Sequence, residues 1–146
     1  MTAIMRVRSH VERCLQEAWG RRCVGFDSEG DCAFYRGTVV GYVRVAESTP
    51  DTIQVFAVAV RDVAPKEDLL REVNDLNLEV GTMRYVLAAK QLIVLQHLPA
   101  HCATPRTLSR ACREVTDAAH RMGPVIATVH GGTTPSPPRG LDIKDI

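Results

Sequence analysis

Read as a strand, the segment Ile53 to Val60 is apolar on both faces. Side chains alternate across a strand, so residues two apart share a face. Ile53, Val55, Ala57 and Ala59 fall on one side, and Gln54, Phe56, Val58 and Val60 on the other. The preceding segment, Thr38 to Glu47, sets Val39, Gly41, Val43 and Val45 against Val40, Tyr42 and Arg44. Gln91 to Leu98 sets Leu92, Val94 and Leu98 against Ile93, Leu95 and His97. Antiparallel sheets commonly pack one face and wet the other. Strands like these are therefore either sandwiched inside one chain or leave one apolar face for a partner.

The rest of the chain places these strands in a simple order. Apolar residues recur at three- and four-residue steps from Thr2 to Trp19 (Ile4, Val7, Val11, Cys14, Leu15, Ala18), which predicts a first helix stopped by Gly20. Cys23–Phe26 and Cys32–Arg36 flank the turn residues Asp27 to Asp31 and read as a hairpin, with Gly37 as a bulge or bend before the next strand. Pro65–Val80 predicts a second helix, with Pro65 at its first position, Glu67 and Asp68 complementing its dipole, and Gly81 as its cap. Met83–Ala88 and Gln91–Leu98 form two strands joined at Ala89-Lys90, and a last helix opens at the N-cap Thr104 and at Pro105. Pro124 predicts a kink, with a further turn ending at Gly131-Gly132. The fold class is α+β: an antiparallel sheet with three helices in the order helix, strands, helix, two strands, helix. Residues 1–132 form a single domain, and the Pro/Gly-rich stretch 133–146 is expected to be a disordered tail.

Composition removes several function classes. A chain of 146 residues can bury one sizeable core without staples. Its net charge of +1 gives no electrostatic footprint for nucleic acid. No uncharged apolar run reaches the length of a membrane span, and the charged N-terminal stretch is unlike a signal peptide. Five cysteines without close pairs point to reduced thiols and a cytoplasmic setting.

Candidate chemistry is sparse. His97, His101 and Cys102 lie close together, but no second cluster completes a metal set, and Pro99 keeps the histidines off one helix face. Cys102 is the cysteine expected to be exposed, so an enzyme would have to work through Cys102 with His97 or His101. Asp27, Glu29 and Asp31 resemble a calcium loop, yet its sixth and twelfth places hold Cys32 and Thr38. His130-Gly131-Gly132 lacks the strand and lysine of a phosphate loop. No Gly-x-Ser-x-Gly is present. The expectation is no catalytic residue, no metal and no cofactor. Asn74 and Asn77 are poor interior helix residues placed three apart, which predicts amides bonded to a nearby strand or loop backbone.

These elements also carry a family resemblance. The strand Val55-Phe56-Ala57-Val58, the pair Leu69-Leu70, the run Val73-Asn74-Asp75-Leu76-Asn77, the hairpin Arg84 to Leu98 and the final helix ending in Gly131-Gly132 resemble the YbjN family and the related type III secretion chaperone-like domains. The resemblance spans Thr38 to Gly132. It implies a secretion-chaperone-like fold that often forms homodimers and holds an extended segment of a client protein. The leading expectation is a non-enzymatic peptide- or protein-binding module working as a homodimer. Its contacting face is expected to carry Phe56, Val58, Val60, Tyr42 and Val40. The alternative is a structural or regulatory homodimerisation domain without a client.

Overall fold

The computed structural model describes residues 2–20, 25–49, 51–79, 81–135 and 143. In chain order these form α1 (Ala3–Trp19), β1 (Asp31–Arg36), β2 (Val39–Val45), β3 (Thr52–Val60), α2 (Glu67–Leu78), β4 (Arg84–Ala88), β5 (Gln91–Pro99), a 3-10 turn (Ala100–Cys102) and α3 (Pro105–His130). The strands make one antiparallel sheet in the order β1-β2-β3-β5-β4. Fold class and element order are those the sequence predicts.

Local chemistry sets the helix ends. Thr2 caps α1 by accepting the Met5 N–H at 3.3 Å. α3 opens on a reciprocal cap: the Thr107 N–H donates to Thr104 Oγ1 at 3.1 Å, and the Thr104 N–H donates to Thr107 Oγ1 at 2.8 Å. Two orphan donors are thereby satisfied. α2 starts two residues later than predicted, with Lys66 at its N-cap, so Pro65 precedes the helix. α3 runs through Gly123-Pro124 to His130 and is capped by Gly131, where the sequence places the end of the turn that follows Pro124. Gly123 is there for space: a Cβ would lie 2.6 Å from the carbonyl oxygen of Ala59, so only glycine lets α3 lie this close to β3.

The hairpin at the start of the sheet differs from the expected one. β1 pairs with β2, from Asp31↔Arg44 to Arg36↔Val39, and Gly37-Thr38 is the turn between them. Gly37 takes φ +63°, which a two-residue turn of this hand requires. Cys23 and Val24, half of the predicted first strand, lie outside the described residues, and Gly25 and Phe26 are not strand. The Asp27–Asp31 turn is held by Asp27, whose Oδ1 accepts the N–H groups of Glu29 and Asp31, both at 2.9 Å.

All three helices bury side chains in one cluster. Val11 and Leu15 of α1, Leu69 and Val73 of α2, and Leu108 and Val115 of α3 meet Val43, Ile53 and Val55 there. One sheet face is thus covered and, among the described residues, no helix lies on the other. The Phe34 ring folds over Gly41, where a Cβ would sit 2.3 Å from it, and packs at a tilt of 49° against Trp19, with ring centroids 5.3 Å apart. α2 is tied to α3 by His130, whose Nε2 lies 2.5 Å from Glu72 Oε2 and whose Nδ1 lies 3.8 Å from Asp68 Oδ2. Within the stretch expected to be a disordered tail, Thr133 pairs with Arg61 and Ile143 is buried.

Candidate functional site

The uncovered face is the candidate site, and strand register builds it. Tyr42 of β2, Phe56 of β3, Leu95 of β5 and Arg84 of β4 form one row across the sheet. Val58, Ile93 and Val86 form a second row. Arg44, Gln54 and His97 form a third. Tyr42 and Phe56 stack face to face, with centroids 5.2 Å apart and 25° between planes. The Arg44 guanidinium covers the Phe56 ring at 5.1 Å, a contact worth about 0.5–1 kcal/mol near the surface. Arg44 is aimed by Asp31, whose two carboxylate oxygens accept from Nε at 2.6 Å and from Nη2 at 2.8 Å. That hydrogen bond raises the guanidinium pKa further above its ordinary value, against the opposing effect of burial. The site is therefore an apolar and aromatic platform with a cationic, hydrogen-bonding rim.

The five residues expected at the contacting face divide. Tyr42 and Phe56 stand on it, partly exposed. Val40 and Val58 point the same way but are only 2% and 7% exposed, so they floor the platform and offer a partner little area. Val60 does not belong to it. Pairing slips by one residue between Val58 and Val60, the alternation inverts there, and Val60 enters the main core opposite Leu92 with no exposure. A bulge has this effect because it sets two residues against one. Ile93, Leu95 and the 38% exposed Val86 complete the platform and were not among the expected contacts. Their alternation is visible locally, but the pairing that brings β5 beside β3 is not.

Of the two helix asparagines, Asn77 bonds a strand. The Tyr85 N–H donates to Asn77 Oδ1 at 2.8 Å, and Asn77 Nδ2 donates to the Tyr85 carbonyl at 2.8 Å. One side chain thus occupies both outward backbone groups of Tyr85 on the edge strand β4. Asn74, one turn earlier, is exposed and bonds no strand backbone among the described residues.

The chemistry-bearing side chains are dispersed. His97 is exposed on the platform rim, its Nε2 3.3 Å from Gln54 Nε2, while His101 and Cys102 are exposed on the 3-10 turn. Cys14, Cys32 and Cys112 are buried, and Cys23 lies outside the described residues. Burial first, then Glu17, raises the Cys14 thiol pKa above its ordinary value, with Arg13 opposing. Among the described residues no group of acidic, histidine and cysteine side chains is arranged to hold a metal ion, and no helix is long and apolar enough to cross a membrane.

Residues 6–138 match the family described as T3SS (YopN, CesT) and YbjN peptide-binding chaperone 1. The chain belongs to this family. It is a family of peptide-binding chaperones, not of enzymes. Solved structures agree on the fold. A chain of the ExsC-ExsE complex superposes with a TM-score of 0.67 at 17% identity, over 81% of this chain and 94% of that one. The Yersinia pestis type III secretion chaperone SycH, in complex with a stable fragment of YscM2, gives 0.61 at 16% identity, over 79% and 98%. YbjN from E. coli, described as a putative transcription regulator, gives 0.58 at 18% identity, over 84% and 93%. No curated protein matches the chain by sequence.

Proposed function

We propose that this chaperone-family domain holds an extended segment of a client protein on its open sheet face, and that it works as a homodimer. The observation that carries the reading is the row Tyr42–Phe56–Leu95, an aromatic and aliphatic band with no described helix over it. Such a band, rimmed by Arg44, Arg84, Gln54 and His97, suits a peptide with apolar side chains on one face and acceptors at its margin. The family's peptide-binding character supports it, as do the two complexes, ExsC-ExsE and SycH with a fragment of YscM2, in which similar folds were solved.

Phe56→Asp tests the reading. A peptide array probed with the wild type should capture segments rich in aliphatic and aromatic residues. The variant should lose that capture by at least about tenfold, the loss expected when one central anchor worth ~1.4 kcal/mol or more is removed. Light scattering on both proteins should give the mass of two chains. A wild-type monomer that captures no segment overturns the proposal.

A second reading is a homodimerisation domain without a client. It is favoured by Val125 and Val129, 51% and 67% exposed on one side of α3, away from the platform. Under that reading the array stays blank for the wild type while light scattering still reports a dimer.

A further inference from the structure

The chain carries a net charge of only +1, yet the first turns of α3 concentrate positive charge. Arg106, Arg110 and Arg113 follow one another at four- and three-residue steps and so share one side of the helix. All three are exposed. With Glu114, Pro105 and Ala18 they line a cleft of about 480 Å³. Ala18 lies near the end of α1, so the cleft opens between the two helices. It belongs to the helix layer, not to the platform on the other face of the sheet.

Stability alone would not choose these positions. Arg106 lies in the first turn of α3, which holds no acidic residue, and the helix dipole disfavours a cation there. It has no carboxylate partner among the described residues. Arg110 is paired, and its pairing is anchored in the core. Its Nε donates to Glu114 Oε1 at 2.8 Å, and Gln96 Nε2 donates to Glu114 Oε2 at 2.7 Å. Gln96 stands on β5, 8% exposed. A buried amide needs partners, and this one fixes the carboxylate that in turn aims Arg110. The Arg110 side chain is still 76% exposed, so its remaining N–H groups face the cleft and solvent. Three arginines against one carboxylate leave the lining cationic.

We infer that this cleft is a docking site for an acidic helix of a protein partner, recognised chiefly by Arg106 and Arg110. The steps from Arg106 to Arg110 and from Arg110 to Arg113 measure ~6 Å and ~4.5 Å along the axis. A helix lying alongside, with carboxylates at the same four- and three-residue steps, meets each arginine in turn. Carboxylates on one face of an extended segment repeat every ~6.6 Å and fall out of step at the second interval. The small Ala18 side chain leaves room for a third helix against α1 and α3. The inference concerns the helix layer and stands independently of the proposed use of the platform.

The test uses the full chain and a fluorescein-labelled, alanine-based helix of about 18 residues, with glutamates at four- and three-residue steps, read by anisotropy at low salt. The wild type should bind it, and binding should weaken as added salt screens the charges. Arg106→Gln combined with Arg110→Gln should weaken binding about tenfold. Both positions are exposed and glutamine is a good helix former, so circular dichroism should not change. Glu114→Gln should tighten binding about threefold, because glutamine still accepts from Arg110 while the competing charge is gone. Such a gain cannot come from misfolding. No binding by the wild type, equal binding by the double variant, or no gain in Glu114→Gln overturns the inference. A peptide with a central proline should bind far more weakly, since proline breaks its helix. Equal binding there shows that an extended acidic chain suffices and overturns the helical partner. Inorganic phosphate should displace the peptide no better than chloride at matched ionic strength. Selective displacement assigns the cleft to a small anion and rejects the partner helix.

Discussion

Asn77 shows how much one side chain can settle. Its carboxamide matches the paired donor and acceptor of a backbone, so it ends the sheet at Tyr85 as a further strand would. Asn77→Ala leaves a strand N–H and carbonyl without partners and should cost about 1–3 kcal/mol, measured as a lower urea midpoint with unchanged slope. The Asn-x-x-Asn spacing announces a bonded amide in the sequence but not which residue supplies it. That choice depends on how α2 is rotated against β4, and rotation is set by Leu69 and Val73 seating in the core. Gly41 is a second single-residue decision. Its missing Cβ makes room for Phe34, a relation between strands that neither local stretch displays.

Among the elements, the β4–β5 hairpin is strained where it turns. Ala89 and Lys90 take φ +50° and +59°, a left-handed pair that L residues with a Cβ adopt at a cost. Replacing Ala89-Lys90 by Asn-Gly should stabilise the domain by about 1–2 kcal/mol, seen as a higher thermal midpoint with unchanged peptide capture. The position of this turn is readable because two alternating runs flank it. The β1 hairpin is harder. Gly30 and Gly37 both offer positive φ, and two short apolar runs compete to be the partner of Cys32–Arg36. The Gly37-Thr38 turn joins two full strands and wins. α3 continues past Pro124 to its cap at Gly131. Pro124 removes one backbone bond, but burial of Ala119, Gly123 and Ile126 against the sheet holds the helix on both sides of it.

For the whole molecule, one cluster reaches every helix and the middle of the sheet, so the domain should unfold as a unit. Trp19, 2% exposed and packed against Phe34, is the single tryptophan and reports the core. Its fluorescence and far-ultraviolet circular dichroism should give the same urea midpoint, and separate midpoints would show that α1 detaches first. At this scale the order of elements is legible in the sequence, because periodicity and turn residues are local. Which face stays open is not. That depends on all three helices choosing one side of the sheet, and on β5 entering between β3 and β4, pairings between residues far apart in the chain.

The slip in register at Ala59 acts as a ruler. On β3 the outward positions run from Gln54 through Phe56 to Val58, and the next apolar side chain, Val60, has crossed to the other side. Four residue steps at ~3.3 Å each leave a usable length of roughly 13 Å along that strand. A partner lying parallel to β3 can thus be read over a window of only about five residues before the platform ends. Selectivity in this domain would then come from a short word, not a long sentence.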